Sequence, residues 1–203
     1  MSKRMQSAIN ANQTAAQAER LQRSEETLLV LAARMGDRGA FERLLARFEK
    51  PLLYFLRRFI AQPEAALDVH QEVWLDAYRN LPKLVTPEAF RAWLYRIAHD
   101  KAARYVRHAV TAEDRTTSLA VENQDIPMEE EVQAAGAEAV HRALDQLSVP
   151  FREVLTLHYL KDLTLEEMTA VLGCPLGTVK SRLFHARAAI RQTLERNGYA
   201  RNP

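Results

Sequence analysis

The stretch that most constrains this chain is residues 162–187, read DLTLEEMTAVLGCPLGTVKSRLFHAR. Thr164 is followed three residues later by Glu167, which is the spacing of a capping box. In that motif each side chain accepts a hydrogen bond from a free backbone N–H at the start of a helix, so we expect a helix to begin at Leu165.

A glycine and a proline separate this helix from a second one. Gly173 can adopt the positive φ that ends a helix, and Pro175 fits the first turn of the next. The second helix is therefore predicted to begin near Leu176. Its apolar side chains recur at steps of four and three, which makes one buried face about a third of the circumference wide. They are Val179, Leu183, Ala186, Ile190 and Leu194.

The opposite face of the second helix carries cations and hydrogen-bond donors over a length that fits a DNA major groove. Two short helices joined by this turn form a helix-turn-helix. The solvated face of an ordinary helical hairpin would carry similar charge. Other parts of the chain are therefore needed to decide between a DNA-binding helix-turn-helix and an ordinary hairpin. The side chains on this face are Lys180, Ser181, Arg182, His185, Arg187 and Arg191.

The run LTLEEMTAVLGCPLGTVKSRLFHARAAI resembles region four, the promoter-reading C-terminal domain of bacterial sigma factors, and most closely that of the extracytoplasmic-function (ECF) group. GTVKSR, residues 177–182, is among the more specific short motifs of that group. The family usually has Arg where this chain has His185, so the contact of this residue with DNA is expected to be weaker or pH-dependent. The resemblance implies that the minus-35 duplex is contacted by Lys180, Ser181, Arg182, Phe184, His185 and Arg187.

Length and composition agree with a folded protein of two modest domains, with 203 residues, 27% of them charged. The longest apolar run, residues 28–33, is too short for a membrane span or a signal peptide, so we expect a cytoplasmic chain without membrane insertion. Cys174 is the one cysteine and cannot form an intramolecular disulfide. We predict a small buried residue in the turn, and a redox role stays open.

Charge is segregated along the chain. Residues 91–107 hold five Lys or Arg against one Asp, whereas residues 109–136 hold seven Asp or Glu against one Arg. Contact with a polyanion is therefore confined to particular helices. Residues 109–136 lack a convincing helical stripe until Val132 and are predicted to form a flexible acidic linker. In sigma factors this segment threads a channel of the polymerase, although a tether kept soluble by its charge explains the composition equally well.

Residues 1–24 are polar and are predicted to form a tail. Leu28, Leu31 and Ala32 then form a short apolar stripe that ends at Gly36. A long helix is predicted after it, and Pro51 lies within the apolar periodicity of that helix. GDRGAFERLLARFEKPLL resembles the opening of region two in ECF sigma factors. The apolar side of this long helix carries Phe41, Leu44, Leu45, Phe48, Leu52, Phe55 and Phe59.

The next segment, EAALDVHQEVWLDAYRNL, predicts a helix with a buried apolar side and an acidic outer face. The sigma-factor resemblance implies that Asp68, Gln71 and Glu72 dock on the clamp coiled coil of RNA polymerase. A solvated helix face is the alternative. His70 stands where an apolar residue is more usual, and no metal-ligand spacing occurs in the chain.

The segment EAFRAWLYRIAHDKAARYVRH predicts a basic amphipathic helix, and FRAWLYRIA resembles the part of ECF sigma factors that reads the minus-10 element. Cations can follow the phosphates of a single strand, while a flipped base needs an apolar pocket and hydrogen bonds. Trp93 is predicted to pack in the core. Asp100 stands where the family frequently has Asn. Asn can both donate to and accept from a base, whereas an ionised carboxylate only accepts, so the preferred base stays open. The implied minus-10 contacts are Arg91, Arg96, His99, Asp100 and Arg104.

Together these segments predict an all-α protein with two helical domains, residues 25–108 and 137–197, joined by the acidic linker at 109–136 and followed by a short tail at 198–203. The resemblance implies an alternative sigma factor that binds core RNA polymerase through its clamp coiled coil and flap, promoter DNA and an anti-sigma factor. No catalytic group, cofactor or metal is expected.

Two other functions stay open at this point. A stand-alone helix-turn-helix regulator would bind a duplex operator as a dimer, but it leaves FRAWLYRIA and the acidic linker unexplained. An enzyme could use Asp68, His70 and Glu72, or His99 and Asp100, as acid-base groups, although no nucleophile or metal set joins them.

Overall fold

The computed structural model describes residue 17 and residues 20–113, 134–160 and 163–197; at residues 109–113, 134–138 and 160 it describes only the backbone. In these ranges the chain forms helices joined by turns, without a strand, which confirms the all-α class. No helix in them is both long and apolar enough to span a membrane. The helices are α1 (residues 20–34), α2 (Arg38–Arg57), α3 (Pro63–Asn80), α4 (Phe90–Glu113), α5 (Ala134–Asp145), α6 (Val149–Leu155), α7 (Leu165–Leu172) and α8 (Leu176–Arg196).

The predicted linker falls largely outside the described residues, because α4 ends at Glu113 and α5 begins at Ala134. Most of the predicted N-terminal tail and of the predicted C-terminal tail also lies outside them.

Helices α1 to α4 form the N-terminal domain. Asp37 caps α2 by accepting a hydrogen bond from the backbone N–H of Ala40 at 3.0 Å. Pro51 lies within α2 without ending it, and the predicted apolar side of this helix faces the core. Phe90 and Tyr95 of α4 are fully buried beneath α2 and α3, so the opposite side of α4 is left for other contacts.

The C-terminal helix-turn-helix is confirmed. The side chain of Thr164 accepts from the backbone N–H of Glu167 at 3.1 Å, and the carboxylate of Glu167 accepts from the backbone N–H of Thr164 at 2.7 Å. Gly173 ends α7 in the left-handed conformation at φ 62°, and α8 begins at Leu176 as predicted. The predicted apolar face of α8 is buried at Val179, Leu183 and Ala186.

Two leucines of the apolar stripe in α1 lie on its outer side. Leu28 is 66% exposed and Leu31 is 40% exposed, whereas Glu26 and Val30 point into the domain. Glu26 is buried because the guanidinium of Arg91 donates two hydrogen bonds to its carboxylate, from Nε at 2.9 Å and from Nη2 at 2.8 Å. With Glu26 in this ion pair, Leu28 and Leu31 face outward, while Leu29 packs against the core.

The two domains pack directly on each other, which the sequence did not predict. Helix α4 lies against α7, and the buried apolar cluster continues from one domain into the other. Arg58 at the end of α2 forms an ion pair with Asp145 of α5 at 2.5 Å. The described part of the chain is therefore closed, with the helix-turn-helix resting on α4.

Candidate nucleic-acid interface

An exposed face of α8, which we term the recognition face, consists of Lys180, Ser181, Phe184, His185 and Arg187. Burial of the opposite side of α8 directs these side chains to solvent. Phe184 is 71% exposed, an unusual position for a large aromatic ring. The sixth predicted contact, Arg182, is half-buried and lies with Nη1 4.0 Å from Sγ of Cys174. Five of the six predicted side chains thus share one surface.

Arg187 is held by two residues that precede the helix-turn-helix. Its guanidinium lies over the ring of Tyr159, 5.4 Å from the centroid, and Nη2 lies 3.4 Å from Nε2 of His158. A guanidinium only donates, so His158 accepts through Nε2. Sequence reasoning gave Tyr159 no role, because residues Thr156–Leu160 form a π-helical turn that shifts the helical register.

The outer side of α4, which we term the α4 face, consists of Arg96, His99, Asp100 and Arg104. Nε of Arg96 donates to the carboxylate of Asp100 at 2.8 Å. His99 lies with Nε2 3.4 Å from the carboxylate of Glu153 in α6. The hydrogen bond with Glu153 raises the pKa of His99, against burial, which lowers it. Arg104 is exposed. The structure thus brings together four of the five predicted minus-10 residues.

Arg91 lies apart from this group, since its guanidinium is bonded to Glu26 and only 14% of its side chain is exposed. Trp93 is partly buried and packs against the core, with its ring 5.9 Å from that of Phe90. This agrees with the predicted packing role of Trp93.

A third surface, the acidic face of α3, is formed by the exposed side chains of Asp68, Gln71 and Glu72. Lys101 of α4 lies beside it, 3.1 Å from the carboxylate of Glu72. Burial would lower the pKa of Lys101, but hydrogen bonds to Asp76 and Glu72 raise it overall. Sequence patterns assigned no role to three exposed apolar side chains on the same helix: Leu67, Leu75 and Tyr78.

His70 faces the core, away from Asp68 and Glu72. The indole N–H of Trp74 donates to Nε2 of His70 at 3.1 Å, and burial lowers the pKa of the imidazole. The acid-base group of Asp68, His70 and Glu72 is therefore not assembled. Among the described residues no three His, Cys, Asp or Glu side chains are grouped so that they could hold a metal ion.

Comparison with solved structures gives the same fold. CnrH in complex with the cytosolic domain of CnrY aligns with a TM-score of 0.62 at 26% identity, over 84% of this chain and 97% of that chain. The sigma factor RpoE of Bartonella quintana, in complex with the anti-sigma factor NepR, aligns with a TM-score of 0.66 at 22% identity, over 76% of this chain and 96% of that chain.

Comparison with known sequences identifies the family. The family model for Sigma-70 region 2 matches residues 44–111, and that for Sigma-70 region 4 matches residues 137–190. The RNA polymerase sigma-H factor of Pseudomonas aeruginosa is 33% identical over 190 residues, 86% of this chain and 96% of the relative. The ECF RNA polymerase sigma-E factor of Escherichia coli K12 is 31% identical over 176 residues, which cover 81% of this chain and 92% of the relative. The chain therefore belongs to the ECF sigma factors, a group of alternative sigma factors of bacterial RNA polymerase.

Proposed function

We propose that this sigma factor docks on the clamp coiled coil of core RNA polymerase through the acidic face of α3, captures the minus-10 strand with the α4 face, and reads the minus-35 duplex with the recognition face of α8. One observation supports this division above all: exposed carboxylates and an exposed basic recognition helix lie on different domains of one chain. Phosphodiester formation belongs to the polymerase, in the cytoplasm, and this chain contributes positioning and recognition.

Within the recognition face, each side-chain type suits a different part of the duplex. Lys180 and Arg187 carry positive charge for phosphates, while Ser181 and His185 can hydrogen-bond base edges. The exposed ring of Phe184 suits the methyl group of a thymine. Tyr159 and His158 restrict the position of Arg187, so less side-chain entropy is lost when it binds a phosphate.

Replacing Lys180 by alanine is expected to weaken binding to all duplex sequences alike and to reduce the slope of log K against log salt by about 1. The measurement is fluorescence anisotropy of a duplex carrying the minus-35 element between 50 and 200 mM salt. Arg196→Ala removes an exposed cation from the far end of α8 and should leave the slope unchanged. An unchanged slope for Lys180→Ala would refute the phosphate contact.

Phe184 makes a separate prediction about base recognition. If its ring covers a thymine methyl, replacing that thymine by deoxyuridine should weaken binding of the natural protein by about fourfold, because a buried methyl group contributes about 0.8 kcal/mol. Phe184→Ala should bind both duplexes equally. Discrimination that persists in Phe184→Ala would assign the methyl contact to another residue.

Run-off transcription with purified core polymerase on a randomised promoter library tests the function as a whole. Product should appear only with both proteins, and the enriched promoters should share two spaced elements. Binding of the protein alone to bare duplex is measured in parallel. If the protein alone binds the duplex tightly and core polymerase stays inactive in its presence, the proposed sigma function is wrong and a stand-alone regulator is the better interpretation.

A protein partner that covers these surfaces is also expected. The family resemblance implies an anti-sigma factor, and the similar protein CnrH was solved with the cytosolic domain of CnrY bound. Co-purification of the tagged chain with a protein that blocks run-off transcription would identify it.

A further inference from the structure

Two consecutive residues that precede the helix-turn-helix hold the guanidinium of Arg187 from two directions. The ring centroid of Tyr159 lies 5.4 Å from Cζ of Arg187, and Nε2 of His158 lies 3.4 Å from Nη2. Arg187 is exposed on α8 and Tyr159 is 54% exposed, so these contacts lie at the edge of the recognition face. We term His158 and Tyr159 the Arg187 support.

The π-helical turn over Thr156–Leu160 explains how adjacent residues reach the same cation. In an α-helix, residues i and i+1 do not face each other. A π-helical turn closes its hydrogen bonds over five residues instead of four, so successive side chains are separated by a smaller angle. The rings of His158 and Tyr159 are accordingly 4.7 Å apart. Turns of this kind occur frequently at functional sites.

The bond between His158 and Arg187 exists in one protonation state of the imidazole. A guanidinium only donates, so Nε2 of His158 accepts and the neutral ring carries its proton on Nδ1. Nδ1 is buried and has no hydrogen-bond partner in the part of the chain that the structure describes. When the ring gains a second proton, both nitrogens donate and a positive charge lies beside the guanidinium.

Nothing among the described residues offsets that repulsion. Arg187 is the one charged side chain there that bonds with His158, and no carboxylate in the described ranges forms an ion pair with this imidazole. A protonated His158 therefore both loses its hydrogen bond with Arg187 and repels it.

Histidine is the side chain that changes charge near neutral pH. We infer that His158 and Tyr159 are positioning residues for Arg187, and that protonation of His158 releases Arg187, so its contribution to duplex binding is lost as the pH falls. The inference rests on the proposed function for the phosphate contact of Arg187. It adds that this contact depends on the charge of a neighbouring side chain.

The test compares variants at each pH, because His185 on the recognition face also gains charge in acid. His158→Gln supplies a side-chain oxygen that accepts from Arg187 and does not titrate. Fluorescence anisotropy measures the affinity of the full-length chain for a duplex of about 30 base pairs, at about pH 5.5 and pH 8. The ratio of the affinity of His158→Gln to that of the natural protein should rise about fivefold in acid, the change expected when one long side chain loses its order.

Arg187→Ala decides whether this effect passes through Arg187. With that substitution present in both proteins, the affinity ratio should be the same at the two pH values. Tyr159 is tested at pH 8, where Tyr159→Leu should weaken binding about threefold, because the cation loses the aromatic face. Tyr159→Phe retains the ring and should restore most of the affinity. In the Arg187→Ala background, Tyr159→Leu should cause no further loss.

His108→Gln is the matched control, since it removes an exposed histidine of α4, away from the recognition face. Its affinity ratio to the natural protein should not change with pH. Circular dichroism at both pH values verifies that each variant is folded.

A constant ratio for His158→Gln would overturn the release of Arg187. A ratio that falls in acid would show that protonated His158 is itself a phosphate contact, which also overturns the inference. A rise that persists with Arg187→Ala would overturn the positioning role. Run-off transcription judges the proposed sigma function separately, because duplex binding is measured without polymerase.

Discussion

Replacing Asp68 and Glu72 together by alanine is expected to reduce the affinity of the protein for core RNA polymerase by about two orders of magnitude. Both carboxylates are exposed on one face of α3, so their removal does not disturb the core. Truncation of central charged contacts in an interface costs about 3 kcal/mol, and each 1.4 kcal/mol is about a tenfold change in affinity. Run-off transcription at limiting protein should fall in parallel.

The ion pair between Glu72 and Lys101 does not oppose docking strongly. The side chain of Glu72 is 62% exposed, and ion pairs of this kind contribute about 1 kcal/mol or less. Glu72 can therefore exchange Lys101 for a cation of the polymerase.

Glu42→Ala with Glu49→Ala is the matched control for docking, because it removes two exposed carboxylates from α2. This control should bind core polymerase as the natural protein does. Equal affinities for the Asp68–Glu72 variant and the control would show that docking uses another surface.

The helix-turn-helix could be predicted in detail because its signals are local. The Thr164–Glu167 capping box and the turn at Gly173 specify where α7 begins and ends, and the apolar steps along α8 specify which face is buried. The same steps leave five of the six predicted minus-35 residues on the exposed side of α8. Arg182 is the exception, since its path toward Cys174 depends on the packing of the turn.

Features that depend on register or on distant contacts could not be predicted. The π-helical turn over Thr156–Leu160 interrupts the 3.6-residue period, so Tyr159 could not be assigned to the side of Arg187. The bonds from Arg96 to the end of α7 join residues more than 70 positions apart in the chain. No short pattern of residues encodes such a contact.

In helix α1 a charged side chain is buried on the side that the apolar periodicity would leave in solvent. Periodicity alone favours Leu28 and Leu31 as the inward face and leaves Glu26 in solvent. The structure reverses this, because a carboxylate that accepts two hydrogen bonds from Arg91, with Nε of Arg47 3.7 Å away, can be buried. Leu28 and Leu31 therefore face outward on the side of α1 opposite this ion pair and the buried Val30.

Glu26→Ala is expected to lower the free energy of unfolding of the N-terminal domain by about 3 kcal/mol, because it removes the carboxylate from a buried ion pair. Trp74 and Trp93, the two tryptophans of the chain, both lie in this domain. Urea unfolding followed by their fluorescence therefore reports this domain. The midpoint should fall while the slope with urea stays the same.

Two further variants show whether loss of the Glu26–Arg91 ion pair causes the destabilisation in Glu26→Ala. Glu25→Ala removes the neighbouring exposed carboxylate and should change the stability by no more than about 0.5 kcal/mol. The double variant Glu26→Leu with Arg91→Met should recover most of the loss, since apolar residues can replace a buried pair when both charges are removed. A loss in Glu26→Ala as small as that in Glu25→Ala would mean that apolar packing, and not the Glu26–Arg91 pair, sets the orientation of α1.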